Sequence, residues 1–324
     1  MRARKSASAT RGTALLGLSA LALVWTACSG GEPERGTGET VQPPATPAPA
    51  SVTPARYVTD MAFVGFGAGA PAAVFRFRHD VAASDLARRY RVWVLRGSAW
   101  DTALSLSDTL PVPRAGWRVL PGGGLRIMAG DGGAIGGLVL RAGSSSFGLQ
   151  PGRVLDEWTS PTGQRSRLAL ASWAAGPEPA SGLLFERREA RPYELPPPRT
   201  LEESLVVTDG AGNGLLVLRD AGDENPDRSA TTAYTWIGGV GARWSEVEAR
   251  RDSAGAGPPG WRIDVPEAGL AASLRSGAAA ADDPAVSDST TTDAGVRVYV
   301  LKGTLRLHGS TRPARGVAIR ARGP

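Results

Sequence analysis

Histidine and cysteine, which are common in catalytic and metal sites, are scarce in this chain of 324 residues. It has two histidines, His79 and His308, and one cysteine, Cys28. A metal centre needs three or four converging ligands, and a hydrolytic triad needs a histidine placed between a nucleophile and an acid. Neither pattern occurs. We therefore expect both histidines at the surface or in turns, with no metal, no cofactor and no catalytic residue that the sequence can name.

Two other kinds of segment could bind ions or phosphates. The acidic residues 220–227 could surround calcium, but they lack the ligand spacing of an EF-hand, which favours a solvated turn. The glycine runs at 122–124 and 132–137 have no following Gly-Lys-Ser/Thr, and no helix is predicted there. We interpret the glycine runs as hairpin turns.

Aromatic side chains are the remaining group that could form a site. Inward-facing aromatics in a β-barrel either fill its interior or line a cavity for an apolar ligand. We predict Trp93, Trp100, Trp236 and Trp244 as ligand-binding pocket walls. Plain core packing is the alternative for each of them, and it is favoured for Trp117 and Trp261, which open strands in the same way.

The N-terminal segment has the pattern of an export signal. Four basic residues precede a short apolar stretch at 13–25, which is too short to span a membrane. Thr-Ala-Cys28 follows this stretch and resembles a bacterial lipobox. We predict a lipoprotein signal peptide at 1–27, lipidation of Cys28, and anchoring in the outer membrane, facing the periplasm or the surface. A soluble secreted protein is the alternative.

Composition separates the rest of the chain into a tether and a folded body. Residues 28–55 are rich in Pro, Gly and Thr without periodicity, which predicts a disordered tether. The net charge of +6 falls to about +2 once residues 1–27 are removed, and no basic cluster with interleaved aromatics occurs. We therefore expect a membrane partner through Cys28 and no nucleic-acid partner.

From residue 57 onward, apolar residues alternate with polar ones and turn residues recur every eight to fifteen positions. This pattern predicts an all-β protein of antiparallel sheets in barrels or sandwiches. Only residues 82–89 and 200–204 look helical. A second low-complexity patch, residues 276–294, is interpreted as a mobile loop between adjacent strands.

A repeated sequence pattern indicates that the chain contains two copies of one fold. Tyr90 and Tyr234 are 144 positions apart, and so are Trp100 and Trp244. A run of three prolines at 196–198 would interrupt a sheet and marks the seam between the copies. We predict domains at 56–195 and 196–324.

Two segments of the second copy carry a resemblance to a known family. Residues 260–270 (GWRIDVPEAGL) are similar to its W-x-I-x-I/V-P-x-x-x-L strand, and residues 298–309 with 315–320 resemble its closing strand pair. The chain thus resembles the tandem lipocalin-like family of carotenoid 1,2-hydratase and AttH-type secreted proteins. The resemblance implies two consecutive lipocalin-like antiparallel β-barrels. The Asp-His stretch that this family shows near the domain junction is missing, so hydratase activity does not carry over.

Three hypotheses for function follow. The first is a lipid-anchored envelope protein that binds a hydrophobic small molecule or lipid. The second is a hydratase or hydrolase acting on an isoprenoid or lipid. The third is a structural envelope lipoprotein with filled barrels. The missing acid–base group favours the first and third over an enzyme.

Overall fold

A computed structural model of the chain describes residues 55–67, 69–82, 85–111, 124–130, 134–142, 145–159, 163–175, 179–192, 203–219, 231–252, 258–281 and 296–321. The predicted signal peptide, Cys28, Trp117 and the acidic segment at 220–227 lie outside these residues. The predictions made for them, and for the domain boundaries, remain predictions.

The first half of the described chain forms a nine-stranded antiparallel sheet. Its strands are β1 (Ala55–Gly65), β2 (Ala72–Val81), β3 (Asp85–Arg96), β4 (Ala99–Pro111), β5 (Leu125–Ala129), β6 (Ile135–Ala142), β7 (Ser145–Thr159), β8 (Arg165–Ala174) and β9 (Ala180–Pro192). Their spatial order is β4-β3-β2-β1-β9-β8-β7-β6-β5. The first and last strands therefore pair at the centre, and the sheet curls into a half-barrel.

The second half repeats this topology. Its strands are β10 (Glu203–Thr208), β11 (Gly214–Arg219), β12 (Thr231–Ile237), β13 (Val240–Trp244), β14 (Glu248–Asp252), β15 (Gly260–Val265), β16 (Leu270–Ala281), β17 (Val296–Leu307) and β18 (Ser310–Ala321), with a 3-10 turn at Pro266–Ala268. Their order is β13-β12-β11-β10-β18-β17-β16-β15-β14. The prediction of an all-β chain with two consecutive antiparallel sheets is confirmed.

Alternation of residue types explains which strands have one buried face and which have two. In β15, Trp261, Ile263 and Val265 are buried, whereas Arg262 and Asp264 are exposed to solvent. In β2, the first seven residues are all buried, because one face points into the half-barrel and the other is covered by neighbouring elements.

The buried side chains form three hydrophobic cores. One lies inside the first sheet around Phe75 and Trp173, and a second lies inside the second sheet around Trp261. The third core combines residues of both sheets, including Phe185 and Tyr234. The two sheets are therefore joined by a packed core of their own.

Aromatic and cation–π contacts extend the core at the joint between the two sheets. The indole of Trp158 stacks on Tyr234 of the second sheet, with ring centroids 4.1 Å apart, and lies 6.5 Å from Phe185. The Arg243 guanidinium lies 4.9 Å from the Tyr234 ring centroid and donates to Asp156 across the joint at 3.1 Å. Stacking and cation–π contacts of this kind add to the stabilisation from burial.

The aromatic residues that repeat in the sequence do not occupy equivalent positions in the two sheets. Tyr90 points into the first half-barrel, whereas Tyr234 points into the core between the sheets. Trp100 packs against the core between the sheets, whereas Trp244 packs against the interior of the second sheet. The tandem architecture is right, but the residue-by-residue match is wrong, because a spacing of 144 places these pairs on opposite faces of their sheets.

Three local predictions are also wrong, in the parts of their segments that the structure describes. The segment 82–89 that looked helical enters strand β3, and the end of segment 200–204 begins strand β10. The predicted loop at 276–294 is strand up to residue 281, because β16 continues past a bulge to pair with β17. Pairing with neighbouring strands outweighs the weak helical preference of these short segments.

No helix in the described part of the chain is long and apolar enough to cross a membrane.

Candidate functional site

The interiors of the two half-barrels are filled by side chains. Met61, Phe63 and Tyr90 in the first sheet, and Val217 and Leu305 in the second, have no exposed surface. A ligand cavity in contact with these side chains would leave them accessible to a small probe. Around these side chains, the interiors of both half-barrels are packed cores. A binding cavity therefore has to be sought elsewhere in the described part of the chain.

A cleft of about 700 Å³ lies between the two sheets. The β1–β2 turn with Gly67 and the β10–β11 turn with Gly210 form one side of it, and strands β17 and β18 form the other. Both glycines have positive φ values, +88° and +74°, which other residues adopt only with strain. The volume of the cleft falls in the range that holds a drug-sized molecule.

One wall of the cleft is fixed by Arg315. Its guanidinium donates to the backbone carbonyls of Gly67 (3.1 Å) and Ala70, so it ties strand β18 to the β1–β2 turn. Burial lowers the pKa of Arg315, but an arginine in a protein keeps its charge. Carbonyl groups satisfy its donors without neutralising it. The wall therefore remains electropositive.

The acidic group at the cleft is already engaged. The Asp209 carboxylate accepts hydrogen bonds from the backbone N–H groups of Ala211 (2.8 Å) and Asn213 (3.1 Å) and pairs with Arg312 at 3.1 Å. Burial raises the pKa of Asp209, and the hydrogen bonds outweigh that effect, so its pKa lies below the ordinary value. Asp209 is thus a structural group that holds the β10–β11 turn.

Lys302 is the accessible cation of the cleft. It is exposed and stands opposite Arg315 in the β17–β18 ladder. Among the described side chains none forms an ion pair with it. The cleft therefore combines small and apolar lining residues, such as Leu95 and Val300, with one ammonium group that is available to a ligand.

None of the four tryptophans predicted as pocket walls lines this cleft. Trp93 and Trp236 are buried in the core between the sheets, and Trp100 packs against that core. Trp244 packs at the edge of the second interior and donates from Nε1 to Thr235 at 2.9 Å. Leu95, the strand partner of Trp100, does line the cleft.

Sequence reasoning missed the residues that do line the cleft. Lys302 is one of only two lysines in the chain, and that rarity was the one signal that could have drawn attention to it. Arg315 and Gly67 are 248 residues apart, and nothing in their local sequence indicates that they meet. No group of three His, Cys, Asp or Glu side chains that could hold a metal occurs in the described ranges.

A second polar cluster lies at the end of the first interior. His79 Nε2 is hydrogen-bonded to the Tyr90 hydroxyl, and Arg88 pairs with Asp108 through its Nε at 2.8 Å. Burial lowers the pKa of His79 to about 4 and raises the pKa of Tyr90 to about 12. The expectation of a surface or turn histidine is wrong for His79, which lies in β2, and right for His308 in the β17–β18 turn.

The buried imidazole predicts a pH dependence of stability. Below pH 6.5 the unfolded chain takes up a proton on His79 that the folded chain refuses until about pH 4. The free energy of unfolding should therefore fall by about 2 kcal/mol more between pH 7 and pH 4.5 in wild type than in a His79→Gln variant. Urea unfolding at pH 7 and pH 4.5 measures the difference. His308→Gln should keep the wild-type dependence; equal pH profiles for wild type and His79→Gln would refute the assignment.

Solved structures that are similar to this chain share little sequence with it. An AttH-like protein from Nitrosomonas europaea is 14% identical and matches over 83% of this chain and 92% of its own, with a TM-score of 0.49. Kievitone hydratase from Nectria haematococca is 10% identical over 85% and 90%, with a TM-score of 0.49. CghA is 12% identical over 83% and 89%, with a TM-score of 0.49.

Sequence comparisons add no further relative: no protein-family model and no curated protein sequence matches the chain. Identities of 10–14% concern the arrangement of strands and say nothing about chemistry. The topology itself is that of two consecutive lipocalin-like half-barrels. In that fold the chain is similar to an AttH-like protein and to kievitone hydratase.

Proposed function

We propose that this chain binds a hydrophobic small molecule or lipid with an anionic headgroup, in the cleft between its two sheets. The cleft with Lys302 at its edge is the observation that carries the proposal. Apolar lining residues would cover the body of the ligand, and the Lys302 ammonium would pair with its headgroup. Because Arg315 keeps its charge behind Lys302, an anion is favoured over a cation.

Binding of a fluorescent fatty acid tests the role of Lys302. Lys302→Gln should weaken binding by roughly three- to tenfold, since one partly exposed ion pair is lost. Arg306→Gln is the matched control, because Arg306 is also an exposed cation of β17, on the same face, and does not line the cleft. Equal losses in the two variants, or no binding by wild type, would contradict the proposal.

We also propose that the protein works from a membrane surface through a lipid on Cys28, in the cell envelope. Support comes from the basic and apolar segments before a single cysteine. Cys28→Ser should abolish labelling with a palmitate analogue in the producing cells, while the amount of protein stays comparable. Persistent labelling of the serine variant would exclude this anchor.

An enzymatic role is the second candidate, and the His79–Tyr90 pair is the observation in its favour. A neutral imidazole beside a phenol could move a proton. Tyr90, however, is completely buried in the packed interior, and a substrate cannot reach its hydroxyl. Binding is therefore the function that the geometry supports best.

A further inference from the structure

The interior of the second half-barrel ends in a polar cluster, which we call the basal cluster. Its members come from seven different strands and point into the half-barrel, because residues two positions along each strand belong to its core. They are Glu203, Arg219, Arg251, Trp261, Ser276, Tyr299 and Arg320. Sequence reasoning proposed none of them as a site: it favoured core packing for Trp261 and interpreted residues 200–204 as helical.

Three buried polar atoms of the basal cluster lack hydrogen-bond partners among the described residues. They are Glu203 Oε1, Trp261 Nε1 and Ser276 Oγ. The Trp261 indole faces the Glu203 carboxyl but lies outside hydrogen-bonding geometry, and its ring packs on Tyr299 at 5.7 Å. Nearly all buried polar atoms in proteins are hydrogen-bonded. Three exceptions at one end of one half-barrel indicate a missing binding partner.

Cations dominate the charge of the basal cluster. Glu203 pairs in register with Arg219 on one side and Arg320 on the other, and Arg251 stands opposite Trp261. Within the described part of the chain, neither Arg251 nor Arg320 has a salt bridge or hydrogen bond. One carboxyl facing three guanidinium groups leaves an excess of positive charge.

Burial favours the neutral form of Glu203, and this form adds a donor to the basal cluster. Burial raises the pKa of Glu203, and this effect outweighs the lowering by Trp261, Arg320, Arg251 and Arg219. A protonated carboxyl donates through its O–H. Guanidinium groups, an indole N–H and a hydroxyl complete an array of donors, and charge-assisted hydrogen bonds to an oxyanion suit such an array.

We propose that the basal cluster is a second binding site, for the carboxylate or phosphate group of a small anionic molecule. Arg251 and Arg320 pair with the charge of the anion. Trp261 and Ser276 donate to its oxygens, and the Glu203 carboxyl donates its proton. Binding of the anion is therefore coupled to protonation of Glu203, and affinity falls as pH rises.

Calorimetric titration with sodium sulfate tests this site, because the charge of sulfate does not change between pH 5.5 and 7.5. Chloride keeps the ionic strength constant, and acetate in a parallel titration distinguishes a planar from a tetrahedral anion. Wild type should bind one of the two oxyanions, more tightly at pH 5.5. Arg251→Gln should lose about tenfold or more in affinity, since a charge-assisted hydrogen bond is removed. Glu203→Gln should retain binding and lose the pH dependence.

The adjacent Arg250→Gln is the matched control for Arg251. Arg250 lies on the opposite face of β14, is largely exposed, and pairs only loosely with Glu248 at 3.3 Å. Its substitution should leave sulfate and acetate affinity unchanged. Equal effects of the two arginine substitutions, a wild-type pH dependence in Glu203→Gln, or no binding of either oxyanion beyond that of chloride would overturn the proposal. The last result would mean that buried water satisfies the three atoms.

Discussion

Replacement of Glu186 by glutamine is expected to lower the free energy of unfolding by about 3–5 kcal/mol. Glu186 has no exposed surface and lies inside the first half-barrel. Its Oε2 accepts from Arg167, and its Oε1 accepts from the Ile135 N–H at 3.0 Å and lies 3.3 Å from Arg188 Nε. Glutamine keeps the shape of the side chain but leaves the buried Arg167 without its counter-charge. The loss should appear as a lower midpoint in urea unfolding.

Glu248→Gln provides the matched control for this charge removal. Glu248 pairs with Arg250, and the two side chains are 68% and 79% exposed. Solvent screens such a pair, so this substitution should change the free energy of unfolding by less than about 0.5 kcal/mol. Replacing Glu186 and Arg167 together by leucine should recover only part of the stability, because the unpaired Arg167 charge is removed while Arg188 and the Ile135 N–H lose Glu186 as a partner. A loss below about 1 kcal/mol in Glu186→Gln would contradict the buried network.

The sequence predicted the fold because its signals are local. Alternation in segments such as residues 73–78 predicts strands, and short turns between them predict an antiparallel meander. The duplication was inferred from the repeated aromatic spacing in the sequence, and the two sheets do share one strand order. These features depend only on neighbouring residues and on chain order.

The faces of the strands could not be predicted from the repeated letters. The connection between β1 and β2 is longer than that between β10 and β11. A constant sequence offset therefore does not relate equivalent strand positions throughout the two sheets. A shift by an odd number of residues turns a side chain to the opposite face of its sheet. For this reason Tyr90 and Tyr234 share a spelling and point into different cores.

The candidate sites depend on contacts between residues that are distant in the chain. The cleft arises where the turn at Gly67 meets Arg315, and the basal cluster draws one side chain from each of seven strands. Sequence reasoning searched for a pocket inside each barrel and selected tryptophans. Over the described residues, the middle of each interior is packed, and the cleft with Lys302 lies between the sheets.

The central claim, a ligand site between the two sheets, is tested most directly by chemical labelling of Lys302. The chain has only two lysines, and the other, Lys5, belongs to the predicted signal peptide. Acylation with an amine-reactive reagent, followed by peptide mass spectrometry, therefore reports on Lys302 alone among the lysines of the mature chain. Saturation with a fatty acid should slow acylation of Lys302 by about tenfold or more, since an ion-paired amine is withdrawn from the reagent. A fatty acid that binds tightly yet leaves the rate at Lys302 unchanged would place the site elsewhere and contradict the claim.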